Sequence, residues 1–268
     1  MPDRSRTRVH CHFVFPSHTA GVASGLSGNL AKRVDLVGGA AARSGRYPLE
    51  LGDSWDRPVP LAAALLADGE TDAPVAYHDG VRAVQAIAAR FTPATWNAPT
   101  PCPEWRAADL AGHLRCVADD YHEYLDNAPV SRLSRLMATG ASAQSIARKL
   151  ARQNAAELAA LPDVPPAEHI AAFARSATRY AARIGPLLRL PHHSYQAKVI
   201  TVAGMVGAAC VEWHVHAWDL ASALGINYRP AEPRAVRAAW LSGIPQLALC
   251  QAPDPWLAVL RSSGRVPD

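Results

Sequence analysis

The chain contains no Cys-x-x-Cys pair, and its five cysteines (Cys11, Cys102, Cys116, Cys210 and Cys250) stand alone at irregular separations. The missing pairs exclude a cysteine-rich zinc finger, and the odd count argues against a disulfide framework. Buried free thiols in a reducing cytoplasm are the expected state. No apolar run approaches the ~20 residues that a membrane-spanning helix needs, so no membrane partner is expected. Charge of one sign is scarce too. The chain carries 27 Lys and Arg against 23 Asp and Glu, a net charge of +4. Beyond the N-terminus the two signs interleave, whereas a nucleic-acid footprint needs a basic stripe or patch. Period-two alternation, the mark of a half-buried strand, is absent as well.

Apolar residues are plentiful instead: 49% of 268 residues are hydrophobic, which allows a sizeable core. Residues 1–72 stand apart from the rest. They contain GVASGLSGNL and VGGAAARSGRYPLELG, and before Glu50 only Asp3 and Asp35 oppose Arg4, Arg6, Arg8, Lys32, Arg33, Arg43 and Arg46. An Arg-rich, acid-poor start can be a transit peptide, but no amphipathic helix accompanies it here. A disordered extension is expected over 1–72, through an overlong start site, and a helical domain over 73–268.

Helical periodicity begins near Ala73. AYHDGVRAVQAIAARF (76–91) predicts one helix, and the Pro-rich TPATWNAPTPCPEW (92–105) a loop. Further helices are expected over 107–126, over 142–161 with Ser142 as N-cap, and over 166–188 with Pro166 in the first turn. A long one follows over 199–224, stopped by a left-handed cap at Gly225, and a last one over 232–249 before a short tail. The expected fold is all-α, a four-helix bundle with accessory helices.

Within 107–126, Leu110, Leu114, Val117, Tyr121 and Leu125 form an apolar stripe, and the spacing places His113 inside it. In the long helix, Ala209, Trp213, Ala217 and Leu220 mark a buried face to which Glu212 and His216 also belong. Four residues apart, these two stack on one side, while His214 points away from them. A carboxylate on a core face is costly unless it is paired or bound to metal, and no Lys or Arg shares the stripe. One carboxylate and two imidazoles suit zinc or another divalent transition metal. From spacing alone, a buried Glu–His hydrogen-bonded pair beside a structural His113 fits equally well. Asp219, seven residues after Glu212, is a candidate to orient a ligand from behind. Cys116 is a weaker candidate for a fourth ligand, and Cys102, between two prolines, is expected to pack at the bundle mouth. Trp105 and Trp213 are expected to pack beside the site, and His122, His192 and His193 to lie on the surface or in loops. His113 and Cys116 lack the His-x-x-x-Cys-x-x-Cys spacing of zinc-dependent anti-sigma regulators.

Two stretches carry a resemblance. PTPCPEWRAADLAGHL (99–114) and EWHVHAWDLASALG (212–225) resemble the paired signatures of the mycothiol-dependent maleylpyruvate isomerase family, a branch of the DinB-like metal-binding four-helix bundles. The tail GRVP (264–267) resembles the Gly-Arg-x-Pro ending of single-domain members. The resemblance implies a DinB-like domain over 73–268 holding a divalent metal on His113, Glu212 and His216. Zinc comes first among the metals, with nickel or iron as alternatives. It further implies mycothiol as thiol cosubstrate, and transferase or isomerase chemistry on a small electrophile by a monomer or homodimer. A metal-binding bundle without catalysis, a sensor or scaffold, is the alternative. This sequence departs from the pattern at Arg106, where members carry a capping Ser or Thr. The stretch after Gly225 is also too short for the C-terminal domain of the two-domain isomerases, so maleylpyruvate itself is not the expected substrate.

Overall fold

Helices α1 (Ala73–Ala88), α2 (Ala107–Asp126), α3 (Arg132–Ala138), α4 (Ala143–Ala159) and α5 (Pro166–Ile184) follow one another along the chain. A hairpin of β1 (Pro191–Tyr195) and β2 (Lys198–Thr201) then leads into α6 (Val202–Ala223), α7 (Pro233–Gly243) and α8 (Pro255–Ser262). The computed structural model describes residues 73–102, 105–128, 130–195 and 198–267; the expected extension over 1–72 lies outside them. Helices α1, α6, α2 and α5 pack in a ring, each against the next, and form the four-helix bundle the periodicity predicted. Helix α4 lies against α2, α7 against α6, and α8 against α7.

Local chemistry sets the helix ends. Ser142 caps α4 by accepting from Ser145 N–H at 3.3 Å, Thr201 caps α6 through Gly204 N–H at 3.2 Å, and Gly225 ends α6 at φ 68°. Arg106 has no oxygen with which to cap α2. The missing bond is offset from the other direction, because the Asp109 carboxylate accepts the Arg106 N–H at 2.9 Å. The Arg106 guanidinium also donates to the Asn97 carbonyl at 2.6 Å.

Helix α6 is buried on nearly every side; only Trp218, Ser222 and Ala223 escape. It is the bundle's central element rather than an amphipathic wall. His214, on the side away from Glu212, is therefore inside too: its Nε2 donates to the Ala76 carbonyl at 2.8 Å, and its Nδ1 accepts from the Tyr228 hydroxyl at 2.6 Å. Close contact with α7 depends on glycine. A Cβ on Gly243 would lie 2.3 Å from Ala208 N and 2.4 Å from Gly204 O.

Three expectations need correction. Strand is present, as the antiparallel β1–β2 pair with a bulge between Pro191 and His193. Four or five residues are too few to display alternation, and the bulge breaks the period where it would show. It also turns His192 and His193 inward, so neither is a surface histidine. Their Nδ1 atoms lie 2.9 Å apart, and burial pushes them down to about 4 and about 3. His122 is half-buried and bonded, donating to the Ser176 carbonyl at 3.0 Å. The last expected helix, 232–249, stops at Gly243 ahead of Pro245, and the segment expected as a tail holds α8, capped by Asp254 on Trp256 and Leu257 N–H. Helix α3, two turns long, is too short to announce itself by periodicity.

Candidate metal centre

The Pro-rich loop before α2 folds back on itself. The Ala107 N–H donates to the Ala98 carbonyl at 3.0 Å, and the Thr100 hydroxyl to the Trp105 carbonyl at 2.8 Å. This turn lays the Trp105 ring over His113, centroids 4.5 Å apart, one turn and a half into α2. From the facing helix α6, His216 meets His113 edge-to-face at 5.0 Å. His113, Glu212 and His216 each offer one ligand atom, and the three atoms lie within 4.8 Å of one another. All three side chains are buried, at 2%, 1% and 3% exposure.

Hydrogen bonding within the trio bears on the choice between a core Glu–His pair and a cation site. His216 Nδ1 donates to Asp219 Oδ2 at 2.9 Å, which leaves Nε2 to face Glu212 Oε2 at 3.1 Å. That approach pairs the two groups whenever His216 is protonated, while Glu212 Oε1 has no hydrogen-bond partner among the described residues. A buried carboxylate without a compensating charge costs several kcal/mol, and a positive charge held by this trio would remove that cost. The donor set of two imidazoles and one carboxylate fits a divalent transition metal with open positions. In the metal-free arrangement a proton takes this part. Burial alone would lower the basicity of His216, but the Asp219 and Glu212 carboxylates outweigh it and raise it.

A second trio, Cys102, His216 and Asp219, also falls within 4.8 Å. Here the Arg265 guanidinium already occupies the position, donating to Asp219 Oδ2 at 2.8 Å and to Cys102 Sγ at 3.1 Å. A fixed cation excludes a second one, so this trio supports the first. Arg265 and His216 hold Asp219 well below the usual carboxylate range against the opposing effect of burial.

Other sequence candidates fall elsewhere. Cys116 is not among the groups that converge; burial, then Glu157, Asp120 and Asp119, push its thiol up to about 12. Trp213 joins Tyr77, Tyr121 and Phe173 in an aromatic cluster rather than lining the trio. Sequence reasoning missed Arg265 and the position of Cys102 beside Asp219. The tail GRVP was visible, but nothing in its local pattern says which carboxylate its arginine reaches.

The family model described as the mycothiol maleylpyruvate isomerase N-terminal domain matches residues 77–221, more than half of the chain. The chain belongs to that family. Comparison with curated proteins and with solved structures found no match. The mycothiol maleylpyruvate isomerase N-terminal match runs from α1 almost to the end of α6. It covers His113, Glu212, His216 and Asp219 and stops short of Arg265. Membership agrees with the helical bundle and links the protein to mycothiol-related enzymes. No helix among the described residues is long and apolar enough to cross a membrane.

Proposed function

We propose that this protein is a cytoplasmic, divalent-metal-dependent enzyme that uses mycothiol to transfer to, or isomerise, a small electrophilic substrate. His113, Glu212 and His216 would hold the metal, with zinc the first choice and nickel or iron as alternatives. The observation that carries the reading is Glu212, 1% exposed, with Oε1 lacking a hydrogen-bond partner among the described residues, Oε2 3.1 Å from His216 Nε2, and two imidazole ligand atoms within 4.8 Å. A cation bound there lowers the pKa of a thiol or water that reaches it and supplies Lewis acidity. The protein's own part is to orient and exclude. Asp219 accepts a hydrogen bond from His216 Nδ1–H and fixes which nitrogen faces the trio, as outer partners of metal ligands do. Trp105 covers His113 and shields the site from bulk water.

Metal analysis of the purified full chain, with His113→Ala and His216→Ala, tests the reading. About one metal per chain is expected in the parent protein, and neither variant should retain it while helical content survives. A stable parent protein that takes up no divalent metal overturns the proposal. Depth of burial favours a second reading, a metal-holding bundle without turnover, since all three groups are at most 3% exposed. Adding mycothiol to the cobalt-loaded protein separates the two. A new sulfur-to-cobalt band and turnover of an electrophile support the enzyme; an unchanged spectrum supports the non-catalytic bundle.

A further inference from the structure

The C-terminal segment after α8 returns to the bundle and delivers one side chain into its interior. Arg265 has only 3% of its side chain exposed. Its Nε donates to Asp219 Oδ1 at 3.1 Å and its Nη2 to Oδ2 at 2.8 Å, a two-pronged grip on a carboxylate that is itself 0% exposed. Nη1 donates to the Ser263 carbonyl at 3.0 Å. Nη2 also reaches Cys102 Sγ at 3.1 Å, and that thiol lies 3.4 Å from Asp219 Oδ2. Asp219 Oδ2 is thus fixed from three directions: the tail, the loop before α2, and His216 Nδ1 at 2.9 Å.

Stability alone does not ask for this arrangement, because an apolar replacement of a buried ion pair is often neutral or stabilising. The arrangement does set direction. A carboxylate gripped at both oxygens cannot rotate, and an ionised oxygen opposite Nδ1 demands a proton on that nitrogen. With Nδ1 committed to Asp219, Nε2 is the nitrogen left to face Glu212 and the His113 ring, sharing a proton with Glu212 when no metal is present and offering its lone pair when a metal replaces that proton.

We infer that Arg265 is a positioning residue. Acting through Asp219, it holds the His216 ring in the orientation and tautomer that present Nε2 to a cation, and Cys102 ties the same carboxylate to the loop that carries Trp105. The C-terminal tail is therefore part of the site, although the family match ends at Ala221. The inference rests on the reading of His216 as a metal ligand, and goes beyond it by assigning a residue from a different part of the chain.

The test uses the full chain as Arg265→Met, Arg265→Lys, Asp219→Asn and the double variant Arg265→Met/Asp219→Asn. Zinc affinity is read by competition with a chromophoric chelator, and folding by circular dichroism. Arg265→Met should weaken zinc binding by about 10- to 100-fold, the usual effect of losing an outer partner of a metal ligand. Arg265→Lys should recover part of the loss, because it restores the charge without the two-pronged geometry. The double variant should bind no more weakly than the weaker single one, since both changes break one connection. Fully additive losses, or an Arg265→Met protein with unchanged affinity, overturn the inference. Should Arg265→Met fail to fold, the same cycle is run with Arg265→Lys. Failure of the underlying metal reading looks different: the parent protein itself binds no zinc. The ¹⁵N spectrum of the metal-free histidines at alkaline pH then decides. The His216 proton should sit on Nδ1 in the parent and redistribute to Nε2 in Arg265→Met, and identical spectra overturn the inference.

Discussion

Two tyrosines show how much a single hydroxyl depends on its surroundings. Both Tyr77 and Tyr121 are 1% exposed and both touch Trp213. Tyr77 donates to the Ala177 carbonyl at 3.0 Å, tying α1 to α5, whereas the Tyr121 hydroxyl has no partner among the described residues. Tyr77→Phe should therefore destabilise the protein by about 1 kcal/mol, the net worth of an ordinary hydrogen bond. Tyr121→Phe removes a desolvated group that gains nothing, and should be neutral or slightly stabilising. Urea unfolding of the two variants checks the contrast. His214 makes a second case at this scale. Burial holds it down at about 4, against 6.5 for the free side chain, in a neutral form bonded to Ala76 and Tyr228. Between those two values the unfolded chain binds the proton and the folded one does not. Its contribution is therefore present above pH 6.5, is lost as pH falls from 6.5 to 4, and totals on the order of 3 kcal/mol. His214→Gln, which cannot titrate, should flatten the pH dependence of stability in that window by about one proton. An unchanged slope in denaturant melts of the metal-free protein would contradict this.

Elements were legible in proportion to their length. Helices α1, α2, α4 and α5 each run long enough for apolar positions at intervals of three and four to stand out, and Ser142 before α4 and Pro166 in the first turn of α5 mark two of their starts. The same spacing places His113 on the core side of α2 and Glu212 with His216 on one side of α6, which is how the structure brings them face to face. It went astray where an element is short or where burial is not one-sided. Helix α3 and the β1–β2 pair offer too few residues for a period, and α6 is enclosed all round, so His214 could not be recognised as interior from its position on the wheel. Arg265 was illegible for a different reason: its pairing with Asp219 spans a long stretch of chain, and local pattern holds no record of it. Packing between elements supplies its own prediction. Gly243→Ala would push a Cβ into Ala208 N and Gly204 O, backbone atoms that cannot swing aside. The variant should lose about 3 kcal/mol or more, towards or past the upper end of ordinary overpacking. Gly185→Ala, with φ near −47° and open space around the new methyl, should be neutral or gain about 0.4–1 kcal/mol. Thermal unfolding of both variants separates a crowded crossing from a permissive turn.

Across the whole molecule, the candidate centre joins parts that the chain order keeps far apart: His113 from α2, Glu212 and His216 from α6, and behind them Cys102 from a loop and Arg265 from the tail. A cation shared between α2 and α6 would bind the folded bundle and not the unfolded chain, so its affinity must appear as stability. At a free metal concentration about 100 times Kd the linkage is worth about 2.7 kcal/mol, and a chelator in excess should remove all of it. His113→Ala would take the one proposed ligand from α2 and leave the two on α6, which are adjacent on a single helix and would no longer bridge anything. In that variant the zinc-dependent gain, measured against the variant's own metal-free stability, should fall below about 1 kcal/mol. Urea unfolding with zinc, without it and with chelator measures all four quantities. A gain that survives His113→Ala in full would mean that any bound ion is held by α6 alone, and the two-helix centre would have to be abandoned.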